Sequence, residues 1–299
     1  MGPLGMAMVG RSSWVMTLCH ECSMVANRAS IRSYSAIRTP MLPGTRIPHA
    51  KYGGRYTCTM LPGDGIGPEM MEHIKRIFTF AHIPVDFEDA QLNSSDPGDE
   101  ALENAITAVK RNGVAIKGNI ETKFNDPQFK SRNVEIRKRL DLYANVLHCV
   151  SIPTIPSRHK DLDIVLIREN TEGEYSGLEH ESVRGVVESI KIVTRRNIER
   201  IARFAFDYAI LNKKNKITAG TRNTGTSLVG KDVANPTAFI RASVDMLRFL
   251  ELDSDADRLS DALYKALTEQ GLHTPDVGGT VKSSQLVDAV LENIKHNFV

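Results

Sequence analysis

An alternation of short apolar runs with helical patterns limits what this chain can fold into. From Tyr56 the strand-like run YTCTML stops at PGDG, and GPEMMEHIKRIFTFAHI then sets Met70, Ile74, Ile77, Phe78 and Ala81 at helical spacing. A second helical pattern, DEALENAITAVKRN, puts Leu102, Ala105, Ile106 and Val109 on one face and ends at the Asn112-Gly113 turn, after which VAIKG reads as a short buried strand. RNVEIRKRLDLY continues as helix, ANVLHCV as strand, and DIVLIRE as a further strand beyond a proline-containing loop. Strand and helix repeated in this order argue for an α/β fold with a largely parallel sheet, because each helix returns the chain for another parallel strand.

The pattern changes between Gly173 and Thr194. GEYSGLEHESVRGVVESIKIVT is rich in β-formers, has a polar turn near Glu181-Ser182 and reads as a hairpin extension. An amphipathic helix then runs through Ile198, Ile201, Ala202, Ala205 and Tyr208, with Thr194 as its N-cap. Asn235 before Pro236 opens the helix NPTAFIRASVDMLRFL, and two more helices, ADRLSDALYKALTEQ ended by Gly271 and SSQLVDAVLENIKHN, close the chain. There is no internal repeat.

The 299 residues, 41% hydrophobic and 25% charged, suffice for the core of one large or two modest domains. A formal charge of +2 gives no bulk electrostatic case for nucleic acid or an anionic membrane, so an anionic ligand needs a local basic cluster. No run of 18 apolar residues indicates a membrane span. The first 57 residues carry seven Lys/Arg against the single acid Glu21, with many Ser and Ala. That composition reads as a mitochondrial transit peptide over residues 1–34, with a processing point in IRSYSA, an extension over 35–55 and a matrix location. Cys19 and Cys22 have CxxC spacing but lie in that leader, and Cys58 and Cys149 read as incidental reduced thiols.

Four segments carry chemistry. PGDGIGPE could place backbone N–H groups near a phosphate, but it lacks the third glycine of a dinucleotide fingerprint and reads more readily as a tight βα turn. SRNVEIR brings Ser131, Asn133 and Arg137 to a helix start, where hydroxyl, amide and guanidinium can meet an anion; a capped helix with a solvated arginine is the plainer reading. LIRENTEGEYSG supplies Arg168 at a strand end, able to clamp a carboxylate, and Tyr175, able to handle a proton; a surface ion pair and a core tyrosine are the alternatives. The fourth is NKKNKITAGTRNTGTSLVG, in which a strand-like KIT runs almost directly into a nucleotide-type loop.

In order, LPGDGIGPE, KGNIET, SRNVEIRKRLDLYANV, IRENTEGEYSG, RNTG, NPTA and HTPDVGG resemble the mitochondrial NAD-dependent isocitrate dehydrogenases, within the β-decarboxylating dehydrogenases. The resemblance covers nearly all of Tyr56 to Val299. KGNIET with Asn119, TEGEYSG and TRNTG are similar to the regulatory γ type rather than the catalytic α type. It implies a large domain from 56–141 and 219–299, and a truncated small domain with a β-hairpin clasp over 142–218. It further implies a tricarboxylate pocket of Thr122, Ser131, Asn133, Arg137 and Arg168, with Tyr175 at the family's proton-handling position. Arg222, Asn223 and Asn235 match nucleotide contacts, to ADP in a γ-type chain. The implied partner is an α-like catalytic subunit, with citrate and ADP as effectors.

Two departures bear on activity. Leu147 stands where catalytic chains, resembling YANVRP, carry a substrate-binding arginine; one lost charge-assisted contact is worth roughly 1.5–3 kcal/mol. Between Thr218 and RNTG several dozen residues of the family pattern are absent, including the catalytic lysine and the metal-binding aspartates. The resemblance therefore implies NAD and Mg²⁺ or Mn²⁺ in the complete complex, with none held by this chain alone and no metal ligands of its own. A partner-binding or decoy protein without ligands, and an unstable truncated product, stay open as alternatives.

Overall fold

The computed structural model describes residues 5–8, 14–17, 47–50, 53–94, 99–122, 131–152, 154–155, 162–173, 176, 178–212 and 228–296. The strands are β1 (Gly5–Met8), β2 (Trp14–Thr17), β3 (Tyr56–Leu61), β4 (Val85–Asp89), β5 (Val114–Lys117), β6 (Ala144–Val150), β7 (Asp163–Glu169), β8 (Glu179–Val183) and β9 (Val186–Ser189). The helices are α1 (Gly67–Phe80), α2 (Asp99–Asn112), α3 (Arg132–Arg139), α4 (Arg195–Asn212), α5 (Thr237–Phe249), α6 (Asp253–Thr268) and α7 (Ser283–His296), with a short 3₁₀ turn at Pro275–Val277.

Seven strands form one sheet in the order β4-β3-β5-β2-β1-β6-β7. Only its first half is parallel: β3 pairs with β4 and β5, and β5 with β2, while β2–β1, β1–β6 and β6–β7 are antiparallel. The largely parallel sheet expected from the alternation is corrected on this point. Among the described residues no helix lies between β6 and β7, and a return without a crossover makes neighbours antiparallel.

The sheet buries both faces. Cys58 and Met60 of β3 and Val114 and Ile116 of β5 join the cluster built with α1, α5, α6 and α7. Leu61 and Ala115, the alternate positions, join the cluster of Leu102, Ala105, Ile106 and Val109 from α2 with Ile136 from α3. All four residues of β5 are buried, as suits a central parallel strand covered twice. The apolar stripes read for α1 and α2 are the buried ones.

Two local readings change. The hairpin turns at Arg184-Gly185, not near Glu181-Ser182, which lie within β8; Gly185 takes φ 87° and its N–H donates to Glu181 Oε1 at 2.5 Å. In α4 the fully buried residues are Phe204 and Tyr208, whereas Ile198 is exposed. Thr194 does cap this helix, its Oγ1 accepting the Asn197 N–H at 3.4 Å. Within residues 1–34, read as a transit peptide, β1 and β2 fill the position between β5 and β6. Two backbone edges that would otherwise lie open inside the sheet find partners there. The processing point and Cys19 and Cys22 lie outside the described residues.

Candidate functional site

The site grows from the junction between PGDG and KGN. Gly67 and Gly118 enclose the Pro62 carbonyl so closely that a Cβ on either would stand 2.0 Å from its oxygen. Asp64 locks the turn: its N–H donates to Asn119 O at 2.8 Å, and its carboxylate accepts the N–H groups of Ser94 and Glu121. The glycine-rich string is thus a packing junction between β3, α1 and the end of β5, in agreement with the tight-turn reading.

From that junction the chain delivers the proposed anion-binding residues. Thr122 Oγ1 lies 3.1 Å from Ser131 Oγ. Asn133, in the first turn of α3, donates to Ile120 O at 2.6 Å and accepts from Lys117 Nζ at 2.6 Å. Lys117, only 2% exposed at the end of β5, also donates to Gly118 O at 2.7 Å. This buried cation was missed in the sequence; its only signal was a lysine closing the apolar run VAIKG. Truncating Lys117 to methionine is expected to cost about 1.5–3 kcal/mol, because Asn133 Oδ1 and the Gly118 carbonyl lose a charged donor. A urea unfolding midpoint unchanged from wild type would exclude that role.

Arg137 follows Asn133 by one turn, half-buried. The end of α3 is tied to β7, since Leu142 N donates to Arg137 O and Asn170 N to Tyr143 O, at 2.8 and 2.9 Å. Arg168, also half-buried, stands two residues before Asn170, opposite Asn145 in the β6–β7 register. Asn145 is 3% exposed and its Oδ1 has no hydrogen-bond partner. Leu147 is buried and pairs with Leu166, so this position of β6 is apolar. Thr122, Ser131, Asn133 and Arg137 therefore share one continuous segment, and backbone bonds seat Arg168 beside its end. Tyr175 lies outside the described residues.

The base of the hairpin is organised by two carboxylates. Glu169 accepts the N–H groups of Thr171 and Glu172, and Glu172 accepts Thr194 N and Oγ1, both at 2.9 Å. The bond from the Thr194 backbone, helped by the Thr194 and Asn197 side chains, holds the half-buried Glu172 carboxyl below its ordinary range. Lys138 Nζ reaches Ser176 O, joining α3 to the same base.

Of the nucleotide-type residues only Asn235 is described; Arg222, Asn223 and the abrupt join after Thr218 lie outside. Asn235 is 8% exposed and already engaged: its Oδ1 accepts Thr237 N at 3.0 Å and its Nδ2 donates to Asp276 Oδ2 at 3.1 Å. NPTA and HTPDVGG are thereby brought together.

Large apolar side chains are exposed almost wholly in one region. Among the described residues every such residue but Val229 falls between Leu178 and Leu211, including Val187 at 67% on β9 and Phe206 and Ile210 at 71% and 76% on α4. These residues lie on the β8–β9 hairpin and on the outer side of α4, and exposed apolar side chains in such number are the kind that interaction faces carry.

The family model described as isocitrate/isopropylmalate dehydrogenase matches residues 57–225 and 223–290. The chain is 38% identical to the mitochondrial NAD isocitrate dehydrogenase subunit gamma 1 of Rattus norvegicus, covering 94% of this chain and 91% of the relative. That alignment spans 373 positions although this chain has 299 residues, so the relative carries residues this chain lacks. It is 39% identical to the gamma subunit of Homo sapiens, over 83% of this chain and 86% of that one. Its fold matches the crystal structure of isocitrate dehydrogenase from Methylococcus capsulatus with a TM-score of 0.72, at 22% identity, over 80% of this chain and 99% of the other.

Proposed function

The chain belongs to the isocitrate/isopropylmalate dehydrogenase family, and from that premise we propose that it is a noncatalytic, γ-type regulatory subunit of the mitochondrial NAD-dependent isocitrate dehydrogenase. Its relatives are named as mitochondrial gamma subunits, and the chain is a mitochondrial protein; the matrix is the compartment we assign. The complete complex would convert isocitrate to 2-oxoglutarate with reduction of NAD and release of CO₂. The observation that carries the regulatory reading is the donor set of the pocket. Thr122, Ser131, Asn133, Arg137 and Arg168 offer hydroxyls, an amide and two guanidinium groups, which suit a polyanion such as citrate.

None of these five residues is a carboxylate, so the set does not fit a divalent cation, and no step through a metal is derived for this chain. Such an ion, with NAD, would be supplied by the partner. The pocket would bind and orient a tricarboxylate, with Lys117 holding Asn133 in place. Leu147 leaves that position apolar, which fits effector binding better than turnover. ADP would be met by Arg222 and Asn223, with Asn235 fixing the adjoining turn. The exposed apolar hairpin and α4 supply the face for an α-like catalytic subunit, and we assign them to the clasp of a small domain over 142–218, between the two parts of the large domain at 56–141 and 219–299.

Replacing Arg168 by alanine is expected to weaken citrate binding at least tenfold, about 1.4 kcal/mol. Calorimetry giving an unchanged affinity would remove Arg168 from the pocket. At the level of function, the full chain and the chain from Ser35 onward should each be co-expressed with an α-like subunit and assayed for NAD reduction by isocitrate. A recovered complex whose activity rises with citrate plus ADP supports the reading. The apolar face stands on the hairpin and α4, apart from the pocket, and this favours a second reading of partner binding alone; recovery of the complex with no citrate or ADP binding would select it.

A further inference from the structure

Helix α1 sets Glu69 and His73 four residues apart on one face. Asp232, in the segment leading to α5, lies across from them, and one donor atom from each residue falls within 4.8 Å of the other two. None of the three has a part in the tricarboxylate pocket. His73 Nε2 has no hydrogen-bond partner among the described residues although the atom is shielded from solvent. A polar atom left in that state costs stability unless something else engages it. Asp232 is held in position from behind, its carboxylate accepting Ser284 N at 2.9 Å and Ser284 Oγ at 2.6 Å.

We propose that Glu69, His73 and Asp232 form a binding site for a divalent transition-metal cation of the zinc type. Two carboxylate oxygens and one imidazole nitrogen are a donor set that zinc accepts, and three protein ligands leave a fourth position for water. At zinc–ligand lengths of about 2.0–2.2 Å, tetrahedral ligands stand roughly 3.4 Å from one another, so small side-chain rotations close the observed spacing. Magnesium suits the site less well because it prefers oxygen donors and keeps several waters.

An ion here would link α1 to the approach of α5 and, through Ser284, to the first turn of α7. Helices that are distant in sequence would then be fastened at one point.

The test uses the full chain with Cys19 and Cys22 replaced by serine, so that the leader thiols do not take up zinc. Zinc binding would be measured by calorimetry after chelator treatment, for this parent and for the added variants Glu69→Gln and His73→Gln. One zinc per chain is expected, weakened at least tenfold by either substitution, and the parent's melting midpoint should rise by about 5 °C at a hundredfold excess over Kd. Equal zinc affinity in the parent and in Glu69→Gln would overturn the site, as would a parent that takes up no zinc. Glu69→Gln decides the matter should His73→Gln fail to fold, because Glu69 lies in the first helical turn and is partly exposed. Neither result depends on citrate, ADP or a partner, so the regulatory reading stands or falls separately.

Discussion

Replacing Gly118 by alanine is expected to destabilise the fold by about 3 kcal/mol or more, read as a fall of roughly 10 °C in the melting midpoint. The added methyl would stand 2.0 Å from Pro62 O, which is backbone and is itself wedged against Gly67. Neither neighbour can turn away as a side-chain tip would. Because Gly118 O also accepts from Lys117, which holds Asn133, the displacement would pass to Asn133. Gly185→Ala is the control: its φ of 87° carries a left-handed penalty of about 1 kcal/mol, but no atom lies within 4 Å of the new methyl. If both variants melt alike, the close approach at Pro62 contributes nothing beyond ordinary glycine effects.

Phe204→Ala is expected to cost about 3–5 kcal/mol, the usual range for emptying a buried phenylalanine site. Phe204 is fully buried, meets Tyr143 edge-on at 6.2 Å and sits beside Tyr208, while Arg200 stacks over the Tyr143 ring at 4.0 Å and pairs with Asp141. These contacts seat α4 against β6 and β7. Phe206→Glu, two residues away and on the exposed side, should leave the unfolding midpoint within about 0.5 kcal/mol of wild type yet reduce recovery of the complex with an α-like subunit. Intact recovery with Phe206→Glu would move the interface off this helix; an unchanged midpoint for Phe204→Ala would mean that α4 is not part of the cooperative core.

The sequence exposed the stripes of α1 and α2 because Met70, Ile74 and Ile77, and Leu102, Ala105, Ile106 and Val109, repeat at helical intervals that survive without neighbours. Other features depended on partners the pattern does not contain. The stripe on α4 was drawn through Ile198 because both faces of that helix are apolar, and only the packing of Tyr143 marks Phe204 as the buried one. The parallel-to-antiparallel change at β6 and β7 goes with the lack of a crossover helix among the described residues between them, a negative signal that a proline loop only hints at. The hairpin turn was placed on polar residues when its determinant was the positive φ at Gly185. At the candidate site, Ser131, Asn133, Arg137 and Arg168 are proposed as an anion-type set from their residue types alone, whereas Lys117 was not legible, since a lysine ending a strand looks the same whether it reaches water or is buried under a helix.

The place of β1 and β2 has a consequence for the order in which the fold is completed. These strands leave the ribosome first, yet Trp14 pairs with Val114 and Met6 with Val146, partners made about a hundred residues or more later. Contacts of such sequence separation form slowly, because a long loop must close before they return any stabilisation. Until then β5 and β6 each present a bare strand edge, the kind that recruits other chains. A chaperone or the partner subunit that covers those edges during the wait would decide how much of the synthesised chain reaches the folded state.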